Sequence, residues 1–166
     1  MNRYKIFGLF FLLAVCFQAA YARDLPASSS TALEWLKKMA DAPRQHDYAG
    51  TFVYFADDHI ETTRILHKAD DAGERERIEV LDGSPRIVFR KFFPNLLPQS
   101  SEGIDDNYYV KEIKRERVTE RECQVLLLTP RDDLRYGHQF WIDIETGLLL
   151  KVAVLDGNDV IEQFSF

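Results

Sequence analysis

Apolar positions follow two rhythms from residue 31 onward. Ala32, Leu33, Trp35, Leu36, Met39 and Ala40 recur at helical spacing, with Glu34, Lys37, Lys38 and Asp41 opposite them. This predicts an amphipathic helix lying on an apolar surface. Thr31 and Glu34 have the capping-box spacing at its start, and Pro43 is expected to mark its end. The period then drops to two. Tyr48 to Phe55 is a run of β-branched and aromatic residues, and His59 to Lys68 puts Ile60, Thr62, Arg64 and Leu66 on one face. Further strands are predicted over 74–81, 86–92, 107–118, 123–129, 136–144, 147–155 and 160–166. Asp82-Gly83-Ser84-Pro85, Glu145-Thr146-Gly147 and Asp156-Gly157-Asn158-Asp159 supply turns between them.

About nine short strands with tight turns, and one main helix, predict a mainly β domain of the α+β kind. Its form would be a curved antiparallel sheet, an unclosed barrel, wrapped over the amphipathic helix. Residues 93–106 interrupt the rhythm with Pro94, Pro98 and Gly103 among Phe93, Leu96 and Leu97, and predict a loop or short helix. The last strand pattern runs to Phe166 itself, which leaves an open sheet edge there unless something covers it.

The start of the chain has a different character. Arg3 and Lys5 precede an apolar run from Ile6 to Phe17, followed by Ala20-Tyr21-Ala22. A basic start, a short apolar stretch and a small-x-small site are the parts of a signal peptide, here residues 1–22. The apolar run is shorter than the about 20 residues a spanning helix needs. Cys16 suggests lipoprotein processing, but Val15 is bulkier than that site prefers, so cleavage after Ala22 is expected. Residues 23–166 would then form one domain of 144 residues, exported from the cytoplasm.

Losing Arg3 and Lys5 takes the formal net charge from −6 to −8. An acidic exported domain is a poor nucleic-acid binder, because duplex binding depends on neutralising phosphates. Cys123 would remain as a single thiol in the apolar run Cys123 to Leu128, where a small buried hydrophobe is the simpler role. The sequence has no nucleophile elbow, no His-Glu-x-x-His and no phosphate-binding glycine loop, so it reads as a non-enzyme without a cofactor. His46, His59, His67 and His138 are scattered and read as solvated or core histidines. Lys111 to Arg121 is dense in charge of both signs. A solvated sheet edge is the first reading, and a docking surface for an acidic peptide the second.

Aromatic residues concentrate in the strands. A filled core accounts for most of them, yet a sheet curled around a helix can leave an apolar hollow for lipid or acyl chains. Trp35, Leu36 and Met39 on the helix, with Phe52, Tyr54, Phe140 and Trp141 on strands, are the candidate lining.

Several runs, in order, carry a resemblance. They are Tyr48-Ala-Gly-Thr-Phe-Val-Tyr54, Glu61-Thr62-x-Arg64-Ile65-x-His67 and Glu74-Arg75-Glu76-Arg77-Ile78-Glu79. Later come Pro130-Arg131-Asp132, Arg135-Tyr136-Gly137-His138-Gln139-Phe140-Trp141 and Glu145-Thr146-Gly147. Together they resemble the RseB/MucB family over nearly all of 31–166. The resemblance implies a periplasmic regulator of the envelope-stress factor sigma-E. Such a regulator binds the periplasmic part of an RseA/MucA-type anti-sigma factor and shields it from proteolysis. Lipopolysaccharide or mislocalised lipoprotein is the implied releasing signal. It also implies an N-terminal domain similar to the lipoprotein carriers LolA and LolB, so a periplasmic lipid or lipoprotein carrier is the alternative. Two departures are expected: the family's C-terminal domain is absent, and Arg90 joins Phe92-Phe93-Pro94 where relatives have further strand sequence. A shortened chain of this kind could also be a non-functional relative.

Overall fold

The computed structural model describes residues 28–56, 59–70, 73–82, 86–88 and 103–166. The predicted signal peptide and the 93–102 part of the loop lie outside the described residues. Helix α1 spans Ser30–Gln45. Strands β1 (Tyr48–Ala56), β2 (His59–Asp70), β3 (Gly73–Val80) and β4 (Arg86–Val88) follow. A one-turn helix α2 (Ile104–Asn107) leads into β5 (Tyr108–Val118), β6 (Arg121–Pro130), β7 (Gly137–Asp143), β8 (Leu149–Asp156) and β9 (Asp159–Ser165). The nine strands of the described residues form one sheet in the order β4-β3-β2-β1-β9-β8-β7-β6-β5, and each of these pairings is antiparallel. The expected unclosed antiparallel sheet around a helix is what the chain forms.

The first and last strands pair with each other, Tyr54 opposite Phe164. Strand β1 is thus what covers the edge that β9 would otherwise leave open. Backbone groups of β9 are satisfied by β1 on one side and β8 on the other, and the sheet's two outer strands are β4 and β5.

One row of paired residues explains how the sheet builds a core. Leu126, Phe140, Val152, Phe164 and Tyr54 face one another across β6, β7, β8, β9 and β1. Side chains alternate across a strand, so this row shares one face, and α1 lies on it. Ala32, Leu36 and Met39 pack with Val110, Leu126, Leu128, Phe140, Ile142 and Val152. Burying Leu36 and Met39 stabilises the fold by about 2 kcal/mol each. Phe52, Ile65 and Ile78 extend the same face toward β3.

Two helix-end expectations are corrected. The N-cap is Ser29, whose hydroxyl accepts from the Ala32 backbone N–H at 3.4 Å, so the first turn begins before Thr31 and the Thr31–Glu34 box is not the cap. Pro43 lies inside the helix, which continues to Gln45. Only two residues follow it, so the missing N–H costs one bond near an end that frays in any case. The free carbonyl of Pro43 accepts from His67 Nε2 at 2.8 Å, and the His67 ring stacks on Tyr48 with centroids 4.5 Å apart. That contact ties the helix C-terminus to β2.

At the far side α1 seats on the turn between β7 and β8. Gly147 there has φ +81°, and a Cβ added to it would meet the Lys38 side chain at 2.8 Å and the Lys38 carbonyl at 3.1 Å. Only glycine allows both the backbone and the close approach. Asp143 anchors the same turn. It accepts from the Thr146 backbone N–H at 2.8 Å and from Arg121 at 2.7 Å. Burial favours its neutral form, but Arg121 and Thr146 outweigh that and hold its carboxyl below the usual range.

Candidate functional site

The concave face of the sheet is where the sequence places a candidate hollow. Of the seven expected lining residues, Leu36, Met39 and Phe140 come together in one cluster and are at most 3% exposed. Trp35 packs partly buried against that cluster, with the Lys38 ammonium 5.1 Å from its ring. Phe52 belongs to the adjoining cluster. Tyr54 packs at a tilt against Phe164 with ring centroids 4.5 Å apart. Phe164 touches both clusters and is the residue that joins them.

Trp141 is elsewhere. It sits on the convex face with Val118, Cys123, Val125, Ala153 and Leu155. The cause is the period of the strand: Phe140 and Trp141 are adjacent, so they must face opposite sides of the sheet. The expectation that both line one hollow is corrected on that ground. The indole Nε1 donates to Glu116 at 2.9 Å, and the Lys151 ammonium lies 4.4 Å from the ring. Those two charged side chains cover an apolar outer cluster that no helix covers among the described residues.

The concave face holds a narrow gap near β8 and β9 among the described residues. A gap of about 10 Å³ lies among Phe52, Leu149, Val152, Phe164 and Phe166. One water needs about that much. Beside Phe140 the concave face is filled by Leu36 and Met39 of α1.

Near the β6–β7 end of the same face, His138, one of the scattered histidines of the sequence, meets Tyr108. The Tyr108 hydroxyl and His138 Nε2 are 3.4 Å apart, and the His138 ring lies 6.0 Å from Phe140. Burial lowers the His138 pKa, so the imidazole is held neutral, and its Nδ1 is buried with no hydrogen-bond partner. Alternation was the available signal: His138 is two residues from Phe140 and shares its face. Cys123 is fully buried, and burial pushes its thiol up to about 11. That is the behaviour of a packed hydrophobe rather than a nucleophile. Among the described residues no cluster of His, Cys, Asp and Glu has the geometry of a metal site, and no helix is long and apolar enough to cross a membrane.

Comparison with known proteins gives this geometry a family. The model for the MucB/RseB N-terminal domain matches residues 31–92 and 89–166. The sigma factor AlgU regulatory protein MucB of Pseudomonas aeruginosa is 31% identical over 170 residues, covering 86% of this chain and 52% of MucB. The sigma-E factor regulatory protein RseB of Salmonella typhimurium is 28% identical over 182 residues, covering 95% of this chain and 56% of RseB. A crystal structure of MucB superposes with a TM-score of 0.76 at 31% identity, over 83% of this chain and 57% of that one. MucB in complex with MucA(peri) gives a TM-score of 0.71 at 33% identity, over 82% of this chain and 54% of that one. The chain therefore spans about half the length of the relatives it matches. With an open nine-stranded sheet and one long helix among its described residues, and a domain match running from residue 31 to residue 166, the chain belongs to the MucB/RseB N-terminal domain family.

Proposed function

We propose that the chain is a periplasmic negative regulator of the sigma-E envelope-stress response. In this reading it binds the periplasmic segment of a MucA/RseA-type anti-sigma factor and shields it from proteolysis. Release would follow a shift in population when a lipid signal, lipopolysaccharide or mislocalised lipoprotein, favours the unbound form. The observation that carries the reading is the similarity to MucB solved with MucA(peri), which extends over 82% of this chain. The relatives' names, which describe regulators of sigma factors, point the same way. The signal-peptide pattern of residues 1–22 agrees with a periplasmic partner.

The lipid part of the reading has less behind it. A carrier retains its cargo in a deep apolar hollow, and here α1 packs Leu36 and Met39 into the concave face. Regulation through a protein partner therefore stands ahead of transport. The full chain, mixed with the periplasmic segment of the anti-sigma factor from the same organism, is expected to co-purify with it and to slow its cleavage by the first regulated protease. A folded chain that neither co-purifies nor protects would reject the reading.

A further inference from the structure

Among the described residues, the outer edge of β5 has no strand beside it. Every strand except β4 and β5 has a neighbour on both sides. The first residues of β5 already accept an added segment. The Ser29 backbone N–H donates to the Val110 carbonyl at 3.1 Å, and Ser28 Oγ accepts from the Val110 N–H at 3.0 Å while facing the Tyr108 carbonyl at 3.4 Å. The backbone groups of Tyr108 and Val110 thus point away from β6. Beyond Val110, no described residue pairs with this edge.

The register says which later groups are free. Val110 pairs with Leu128 and Glu112 with Leu126, and a bulge then shifts the pairing so that Arg115 opposes Gln124 and Arg117 opposes Glu122. The even-numbered residues of β6 that oppose the outward groups before the bulge continue as Gln124 and Glu122 after it. In an antiparallel ladder, alternate pairs bond across the strands and the pairs between them point outward. Arg115 and Arg117 therefore turn their N–H and C=O groups to the open side, and their side chains share one face.

The charge of this run is opposite to that of the molecule. Residues 111–117 hold four basic and two acidic side chains in a chain of net charge −6. Glu116 is neutralised by Lys114 at 2.9 Å and also accepts from Trp141. Arg115 has a long 3.7 Å contact with Glu122, both being exposed, and the Arg117 guanidinium donates to the Glu120 carbonyl at 2.8 Å. A cationic strip with outward-facing backbone groups suits an extended partner carrying acids at every second position. The backbone would supply the affinity and the alternating acids the register.

We propose that the free edge of β5, from Glu112 to Arg117, binds an extended acidic peptide segment by strand addition, with its acids facing Arg115 and Arg117. The proposal does not depend on which protein supplies the strand, so it stands apart from the anti-sigma reading. The competing role is a guarded edge, whose charges keep other strands away.

A labelled decapeptide with Glu at alternate positions, separated by Thr and Val, tests it against the full chain by fluorescence anisotropy. Three controls accompany it: the same peptide with Lys for Glu, the same peptide N-methylated on its pairing side, and the Arg115→Glu/Arg117→Glu variant. N-methylation alters only the peptide, so its result does not depend on how any variant folds. Saturable binding is expected for the acidic peptide alone, weakened about tenfold or more by the double variant, reduced by salt, and abolished by N-methylation. No saturable binding of the acidic peptide would establish the guarded edge and overturn the proposal. Binding that survives N-methylation would mark it as charge attraction without pairing, and would overturn it equally.

Discussion

Phe140 and Trp141 are adjacent in β7, yet they belong to two different cores. Phe140 lies under a helix, among aliphatic residues from β5 to β8. Trp141 lies on the other face, covered by the side chains of Glu116 and Lys151. Both are almost fully buried, at 1% and 5% exposure. The inner face is closed by a whole secondary-structure element, which displaces water from a continuous apolar surface. The outer face is closed by long charged side chains, which cover an indole with their stems while their charged ends stay near water. Equal burial therefore rests on different forces: close packing inside, and a hydrogen bond with a cation–π contact outside.

The largest effect is expected on the inner face. Leu36→Ala removes a fully buried side chain at the centre of the helix–sheet contact. The lost transfer energy and the cavity together cost about 3 kcal/mol. A urea melt should show an earlier midpoint with little change in slope. A loss under about 1 kcal/mol would mean that α1 re-seats easily, and would remove the contrast between the two faces.

How much of this was legible in the sequence depends on the range of the signal. The helix and the strands were legible because period 3.6 and period two are local properties of the chain. The helix cap was misplaced by two residues because Ser28, Ser29, Ser30 and Thr31 are all capable N-caps. Which one caps is decided by Ser28 and Ser29 bonding to β5, some eighty residues away. The pairing of β1 with β9 was not legible for a similar reason: each strand reads the same whether it is central or at an edge. Helical period puts Leu36 and Met39 on one face of α1, but their meeting with Phe140 is set by packing between distant elements. The opposite facing of Trp141 could have been read from alternation, since no register choice puts adjacent strand residues on one side. Phe164 was missed as the residue joining Phe52 to Phe140 because that role exists only once β9 lies between β1 and β8.

A smaller effect is expected on the outer face. Trp141→Phe keeps an aromatic ring but removes the indole N–H that donates to Glu116, and weakens the contact with Lys151. The cost is about 1 kcal/mol. High salt should narrow the difference between the two proteins, because the partners are charged and half-exposed. The Leu36→Ala deficit should not shrink with salt. If both deficits respond to salt alike, the outer cluster is held by the same packing as the inner one.

The smallest effect tests the rim of the inner face, where apolar closure meets an ionisable group. Burial lowers the pKa of His138, so the folded state binds a proton there less readily than the unfolded chain. In the window below the ordinary histidine value of about 6.5, the unfolded state takes up more protons, and stability falls as the pH falls. The contribution is complete above that value and is lost on moving down toward the folded-state pKa. Other groups also respond to acidification, Glu76 among them, whose pKa burial raises. The informative quantity is therefore the difference between the protein and His138→Gln, measured by urea melts at about pH 7.5 and about pH 5.5. The parent protein should lose more stability on acidification than the variant. Equal losses would mean that His138 reaches water from the β6–β7 end, and that the helix closes less of the concave face than Phe140 alone suggests.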